Sequence, residues 1–254
     1  MLTYVDDCIF SGDYLEEIEL MRTHLLSKYE GRDLGTPDQL LGVSIGVDET
    51  GTTLHQQRYA QCIVIDGMGS MEVRTASSLL YPGMDLTARR HDEQELDKTR
   101  YLYANILGKL MFLAAMSRPD LSNSVRELGR RSALPCLRHW RGLQHVLRYL
   151  AGTTDIAIHY PRGTDTDNEQ LITGYADSDW AYDPETRRSV TGYLLLLNGS
   201  PIVWRSKFQG AVTLSSSEAE WSAMAHGMRH CIFIRGILAE MGIPQGATAW
   251  YGDN

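Results

Sequence analysis

At 254 residues, with 43% apolar and 22% charged residues, the chain can hold one large domain or two small ones of ordinary globular composition. Its formal net charge of −8 argues against a generic nucleic-acid coat, which needs local Lys and Arg, yet leaves room for an enzyme that meets phosphates through carboxylate-held Mg²⁺. No apolar run approaches the roughly 20 residues of a membrane span, and no basic, apolar leader opens the chain.

Met1 enters strand-like residues at once, as expected of a piece of a longer protein. Cys8, Cys62, Cys136 and Cys231 are far apart and show no CxxC spacing. That weighs against a zinc ribbon or a disulfide scaffold and points to reduced thiols in an intracellular protein.

Residues 2–5 and 8–10 read as strands, with Asp6-Asp7 as the tight turn between them. A helix follows, with Tyr14, Ile18, Met21, Leu25 and Tyr29 on one face and Asp13 as its cap. Leu41, Val43, Ile45 and Val47 alternate as a half-buried strand does, Asp48 to Gly51 turn, and residues 53–56 return. A short helix over 58–65 ends near Gly67, and residues 70–97 read as a long surface connection.

Three helices are predicted next, over 101–116, 121–131 and 139–150. The last two carry Arg126, Arg130, Arg131, Arg138, Arg141 and Arg148. A solvated helix face is the default reading of that zone, and a phosphate-tracking surface is the alternative. A strand over 156–160 leads into the polar segment 161–169, where a domain break is expected. Strands over 171–176, 192–197 and 202–205 follow, the last two joined by the hairpin signal Asn198-Gly199. A long helix over 217–241 and a strand beginning at 247–250 complete the pattern.

The acidic residues carry the chemistry. A strand-end Asp, a helix Glu and a second strand-end Asp can converge on one divalent-metal site. Asp177 and Asp179 point to the same side of an extended strand, so either suits the first position. Glu218 and Glu220 lie roughly 200° apart around a helix, so only one readily faces a shared site. Trp221, Met224, Met228, Cys231 and Leu238 outline an apolar stripe, and Glu220, nearer its centre, is the expected ligand. Asp253 follows the Trp250-Tyr251 strand to the neighbouring strand end. Three unrelated surface acids remain the competing reading. His226 and His230, at i,i+4 but outside any HExxH pattern, are not expected to bind metal. Arg187-Arg188 suits either a solvated turn or a phosphate contact, and Trp180, Trp204 and Trp250 read as core residues flanking strands.

Tyr4-Val5-Asp6-Asp7, between two apolar strands, resembles the YxDD box of reverse transcriptases. Gly174-Tyr175-Ala176-Asp177-Ser178-Asp179-Trp180, Arg187-Arg188-Ser189-Val190-Thr191-Gly192-Tyr193, Trp204-Arg205-Ser206-Lys207 and Ser216-Ser217-Glu218-Ala219-Glu220-Trp221 resemble the ribonuclease H domain of copia-type LTR retrotransposons. Arg32-Asp33-Leu34-Gly35, Gly108-Lys109-Leu110-Met111, Ser117-Arg118-Pro119-Asp120 and Leu147-Arg148-Tyr149-Leu150-Ala151-Gly152-Thr153 match the intervening region in the family's order.

The resemblance implies an α+β or α/β architecture. Residues 1–160 would be the C-terminal part of a reverse transcriptase, with palm hairpin, thumb and connection helices. Residues 170–254 would form a ribonuclease H-like mixed sheet with a long helix. It also implies that Asp6, with Asp7 close by, holds the metals of nucleotidyl transfer. Asp177, Glu220 (with Ala223 three residues on) and Asp253 (with Asn254) would hold two Mg²⁺ ions, or Mn²⁺ in their place, about 3.5–4 Å apart for cutting RNA in RNA/DNA hybrids. A further acidic ligand and a His would follow Asn254, and the first palm aspartate would precede Met1, so the isolated chain is expected to be impaired in both activities. The implied partners are an RNA/DNA hybrid, primer-template nucleic acid and the rest of a Gag-Pol polyprotein, with no membrane; the implied setting is a cytoplasmic virus-like particle or the nucleus. A catalytically inactive relic that binds nucleic acid or a protein partner, and a translated pseudogene, are the competing readings.

Overall fold

The N-terminal strands form around the acidic turn: β1 (Leu2–Tyr4) and β2 (Asp7–Ile9) pair antiparallel with Tyr4 opposite Asp7, leaving Val5 and Asp6 to turn the chain. The computed structural model describes residues 1–12, 14–81, 83–163 and 172–253. The expected Asp13 cap, the start of a strand at Leu171 and most of the 161–169 segment lie outside them. Two compact units are present, Met1–Ile45 and Gly46–Asn254, and the architecture mixes helices and sheets as an α+β fold does.

In the first unit, helix α1 (Leu15–Lys28) buries none of its residues. Its expected apolar face is only half-covered, at Ile18 and Leu25. Leu41 is not part of a strand, contrary to the alternation. Leu41 and Gly42 both have positive φ (52° and 77°) and turn the chain between β3 (Gln39–Leu40) and β4 (Val43–Val47), within which the unit ends.

The second unit opens with a turn in which the Asp48 carboxylate accepts bonds from the Thr50 N–H and hydroxyl at 2.7 and 2.6 Å. Strand β5 (Gly51–His55) follows, then helix α2 (Gln57–Met68). That helix stops at Gly69, in the left-handed conformation (φ 78°), rather than near Gly67. The connection beyond it is not simply superficial: Leu86 and Leu96 are buried in the helical core. Helices α3 (Tyr103–Met116), α4 (Ser122–Gly129) and α5 (Leu137–Ala151) complete that core around Ile106, Leu110, Leu128, Leu143 and Leu147. α3 buries Tyr103, Ile106, Leu107, Leu110, Leu113 and Ala114 and leaves its other side, with Met111 and Phe112, exposed.

Strand β6 (Ile158–Pro161) pairs antiparallel with β5. The last sheet has the order β10-β7-β8-β9, built from β7 (Ile172–Asp179), β8 (Val190–Leu197), β9 (Ser200–Phe208) and β10 (Ala249–Tyr251). β7, β8 and β9 form an antiparallel meander, and β10 lies parallel to β7. Asn198 and Gly199, with φ of 50° and 80°, make the primed turn their sequence predicts.

Helix α6 (Ser216–Glu240) crosses one face of this sheet. Its buried stripe is Ala219, Ala223, Gly227, Cys231 and Leu238. The expected stripe is therefore corrected: Trp221 is 69% exposed. Small residues win the inner face because helix and sheet approach so closely. A Cβ at Gly227 or at Gly174 would lie 2.5 Å from the Trp250 ring, which is held between them. We expect Gly227→Ala to destabilise the fold by about 1–3 kcal/mol through overpacking, read as a lowered melting temperature.

The other sheet face meets the helical region, where the Trp204 indole N–H donates to the Ala114 carbonyl at 2.7 Å. The arginines there are not a solvated face. Arg126, Arg130, Arg131 and Arg138 have side-chain exposures of 9, 17, 10 and 18% and pair with Glu127, Asp183, Glu185 and Asp85 or Glu93; only Arg141 and Arg148 match the solvated reading. For Arg130, Arg131 and Arg138 sequence alone hid this because Asp183, Glu185, Asp85 and Glu93 lie far away in the chain. Arg126 pairs with its neighbour Glu127, and its burial is what the sequence did not reveal. Burial raises the Asp183 pKa, but bonds from Thr186 and Arg130 outweigh it and hold the carboxyl at about 2, below its ordinary 3.8. Its contribution to stability is therefore present above about pH 4 and lost as pH falls towards 2. Acid melts of Asp183→Asn should accordingly show a smaller loss over that window than wild type.

Candidate metal centre

Three acidic side chains meet where β7, α6 and β10 share an end. Asp177, Glu220 and Asp253 each offer a carboxylate oxygen within 4.8 Å of the others. β7 carries Asp177 on the face away from α6, two residues before the strand ends, and β10 runs parallel alongside so that Asp253 follows it to the same edge. Glu220 stands in the first turns of α6, half-buried, and is held from behind: its Oε1 accepts bonds from the Ser178 N–H at 3.1 Å and the Ser178 hydroxyl at 2.8 Å. Among the described residues no Lys or Arg forms an ion pair with any of the three. Three converging carboxylates repel one another unless a cation joins them, and an all-oxygen donor set suits Mg²⁺ or Mn²⁺.

The two ambiguities of the sequence separate here. Asp179 lines the same groove but stands outside the cluster. Glu218 turns the other way: its Oε2 accepts from the Leu214 N–H at 2.6 Å while its own N–H donates to the Ser215 hydroxyl at 3.1 Å. That reciprocal arrangement caps the helix. We therefore expect Glu218→Ala to cost about 0.5–2 kcal/mol of stability while leaving the Mg²⁺-induced rise in melting temperature intact. Glu220→Ala should do the reverse.

The cluster borders a groove of about 800 Å³. One wall is sheet, with Tyr175 and Tyr251 stacked at 5.3 Å between centroids and 25° between planes. The other is formed by Asp120, Ser122, Asn123 and Arg126 at the start of α4 and by Tyr182. The sequence reading missed Ser178 and this helical wall. Ser178 could have been suspected from its position between Asp177 and Asp179, on the side facing α6; Asn123 and Arg126 gave no such signal.

The chain is 30% identical, over its whole length, to the retrovirus-related Pol polyprotein from transposon TNT 1-94 of Nicotiana tabacum, covering 19% of it. It is 33% identical to the Pol polyprotein from transposon RE2 of Arabidopsis thaliana, over 96% of the chain and 16% of the relative. An uncharacterized mitochondrial protein of Arabidopsis thaliana is 31% identical, over 89% of this chain and 90% of that one. The chain belongs to the retrovirus-related Pol family of transposons. It spans about a fifth or less of the polyproteins it matches. No family model and no solved structure matches it.

Within this Pol-family chain, Asp6 and Asp7 lie in the first unit on an exposed hairpin, and among the described residues no third metal-ligating group joins them. Val5, at the turn, has φ 52°, a left-handed conformation that a β-branched side chain opposes. The backbone there is strained at the residue that aims both aspartates. His226 bonds the Ser222 carbonyl at 2.7 Å, and His230 meets the Tyr193 hydroxyl at 3.1 Å. Arg187 and Arg188 are exposed. Trp180 is 45% exposed rather than core, tied by its indole N–H to the Thr213 carbonyl at 3.2 Å.

Proposed function

We propose that this chain is a portion of a transposon RNA-directed DNA polymerase that joins the C-terminal part of the reverse transcriptase to a ribonuclease H-like domain. Residues 1–160 are assigned to the reverse transcriptase, with Asp6 and Asp7 at its metal-bearing hairpin, and residues 170–254 to the ribonuclease H-like domain. The observation that carries the reading is the convergence of Asp177, Glu220 and Asp253 within 4.8 Å. The antiparallel meander followed by a helix and a strand parallel to the first supports it, because that path brings acids from three separate segments to one edge.

Asp177 and Asp253 are presented by paired strands and Glu220 is oriented by Ser178, so the ligand set is rigid before a substrate arrives. A bound pair of Mg²⁺ ions, or of Mn²⁺ ions, supplies a water made nucleophilic near neutral pH and charge stabilisation for the leaving 3′-oxygen. The substrate class is RNA in an RNA/DNA hybrid; primer-template nucleic acid is the partner of the N-terminal part. The working context is a longer Gag-Pol polyprotein, in a cytoplasmic virus-like particle or the nucleus.

The test is a labelled hybrid incubated with the whole chain in Mg²⁺, in Mn²⁺ and in chelator. Cleavage of the RNA strand that needs the divalent cation supports the reading. The chain by itself is expected to be impaired, so slow cleavage suffices. Binding of the hybrid with no divalent-dependent cleavage even when the chain is in excess over the hybrid overturns the reading in favour of an inactive binding module.

A further inference from the structure

The charged side chain that the proposed chemistry leaves unused is Arg126, on α4. It is 9% exposed and lines the groove that Asp177 and Asp253 line from the sheet side. Its Nη2 donates to the Asn123 side-chain oxygen and to Glu127 Oε1, both at 2.6 Å. Among the described residues its Nε and Nη1 have no hydrogen-bond partner. The rings of Tyr182 and Phe208, with centroids 5.4 and 4.9 Å from the guanidinium carbon, shield those donors from water without accepting a hydrogen bond.

An arginine built only for stability would be expected to fill its fork, as Arg138 does with Glu93 and Asp85. Three idle N–H donors, on two nitrogens of a buried cation, are costly, and they mark the acceptor that is missing. A guanidinium fork matches phosphate oxygens in pairs. The opposite wall supplies the second half of a strand-binding surface, since Tyr175 and Tyr251 are 43% and 54% exposed and stand beside the acidic cluster. Exposed aromatic faces take bases without regard to sequence.

We infer that the groove holds one strand of a nucleic acid, with a backbone phosphodiester on the Arg126 guanidinium and a neighbouring base against the Tyr175–Tyr251 pair. This rests on the ribonuclease reading only for the identity of the strand. The Tyr182 ring, 41% exposed, swings aside to open Nε and Nη1 to the phosphate. Arg126 is a positioning residue: it sets the strand in register with the carboxylates and does not touch the reacting atoms.

The test is anisotropy of a labelled RNA/DNA hybrid with the whole chain, in Ca²⁺ and across a salt series, for wild type, Arg126→Met and Arg126→Lys. Loss of one phosphate contact should lower the slope of log affinity against log salt by about 0.9 in Arg126→Met, with affinity down about tenfold at low salt. Arg126→Lys should keep the slope, because it keeps the charge, and lose affinity severalfold, because it lacks the fork. A purely structural arginine would change the melting temperature and leave the slope alone. Wild-type affinity and slope in a folded Arg126→Met overturn the proposal; if that variant does not melt cooperatively, wild-type affinity in Arg126→Lys overturns it. Displacement of the hybrid by a mononucleotide at equal phosphate concentration also overturns it, since the site would then read a free phosphate. Asp177→Asn should bind the hybrid with the same dependence on Arg126 and not cut it, so a failure of the cleavage chemistry and a failure of the strand contact appear in separate measurements.

Discussion

Asp177→Asn is expected to leave the fold intact, to raise the melting temperature in chelator and to abolish the further rise that Mg²⁺ gives the wild-type chain. The reason lies in the packing of charge. Asp177, Glu220 and Asp253 hold oxygens within 4.8 Å of one another, and no described Lys or Arg pairs with them. Removing one negative charge relieves repulsion in the metal-free protein and removes a ligand from the metal-bound one. Hybrid cleavage should fall by orders of magnitude in the same variant. Melts of both proteins in chelator and in Mg²⁺, alongside a cleavage assay, check all three statements. An unchanged Mg²⁺ response with unchanged cleavage would sink the metal-centre reading.

The largest effect on stability is expected at Arg118. Its side chain is 2% exposed and spends every branch of the guanidinium on a partner. Nε and Nη2 grip the two oxygens of Asp120 at 2.9 and 2.7 Å, Nη1 donates to the Thr153 carbonyl at 2.6 Å, and Nη2 also reaches the Thr153 hydroxyl at 2.9 Å. The turn after α3 is thereby tied to the end of α5. Arg118→Ala leaves a cavity and removes four hydrogen bonds. The Thr153 carbonyl keeps the Ile156 N–H at 3.3 Å and the Asp120 carboxylate is exposed, so the loss is expected to be about 2–4 kcal/mol, from the cavity and the charged hydrogen bonds. Chemical denaturation should show that loss as a lower midpoint with an unchanged slope. Arg118→Lys keeps the charge but not the fork and should fall between the two. A loss under about 1 kcal/mol in Arg118→Ala, the scale of a surface pair, would mean that the network is not a structural tie.

The sequence by itself determined the kind and order of most elements, though not β3 (Gln39–Leu40), and named the candidate acids. Hydrophobic periodicity and the Asn198-Gly199 turn are local chemistry, legible because the residues that decide them are neighbours; the sequence reading places the stop of α2 near Gly67, about half a turn before the Gly69 that ends it. The candidate acids, Asp177 or Asp179, Glu218 or Glu220 with Glu220 preferred, and Asp253, were legible for the same local reason: each sits near the end of an element that its own flanking residues define. Only the tertiary structure decided between Glu218 and Glu220, because the choice turns on a bond to Leu214 in one case and to Ser178, 42 residues away, in the other. It also decided what the arginines do. Arg130 and Arg138 look solvated until Asp183 and Asp85 are brought 2.6 and 2.7 Å from them, and no periodicity encodes a partner some 50 residues distant. The apolar stripe of α6 was misjudged on size in its first half: hydrophobicity favoured Trp221, whereas the closeness of helix to sheet puts Ala219, Ala223 and Gly227 there, with Cys231 and Leu238 buried further along as expected. Which acids a chain carries is written in order along it; which of them can face one another is set by how closely the elements pack.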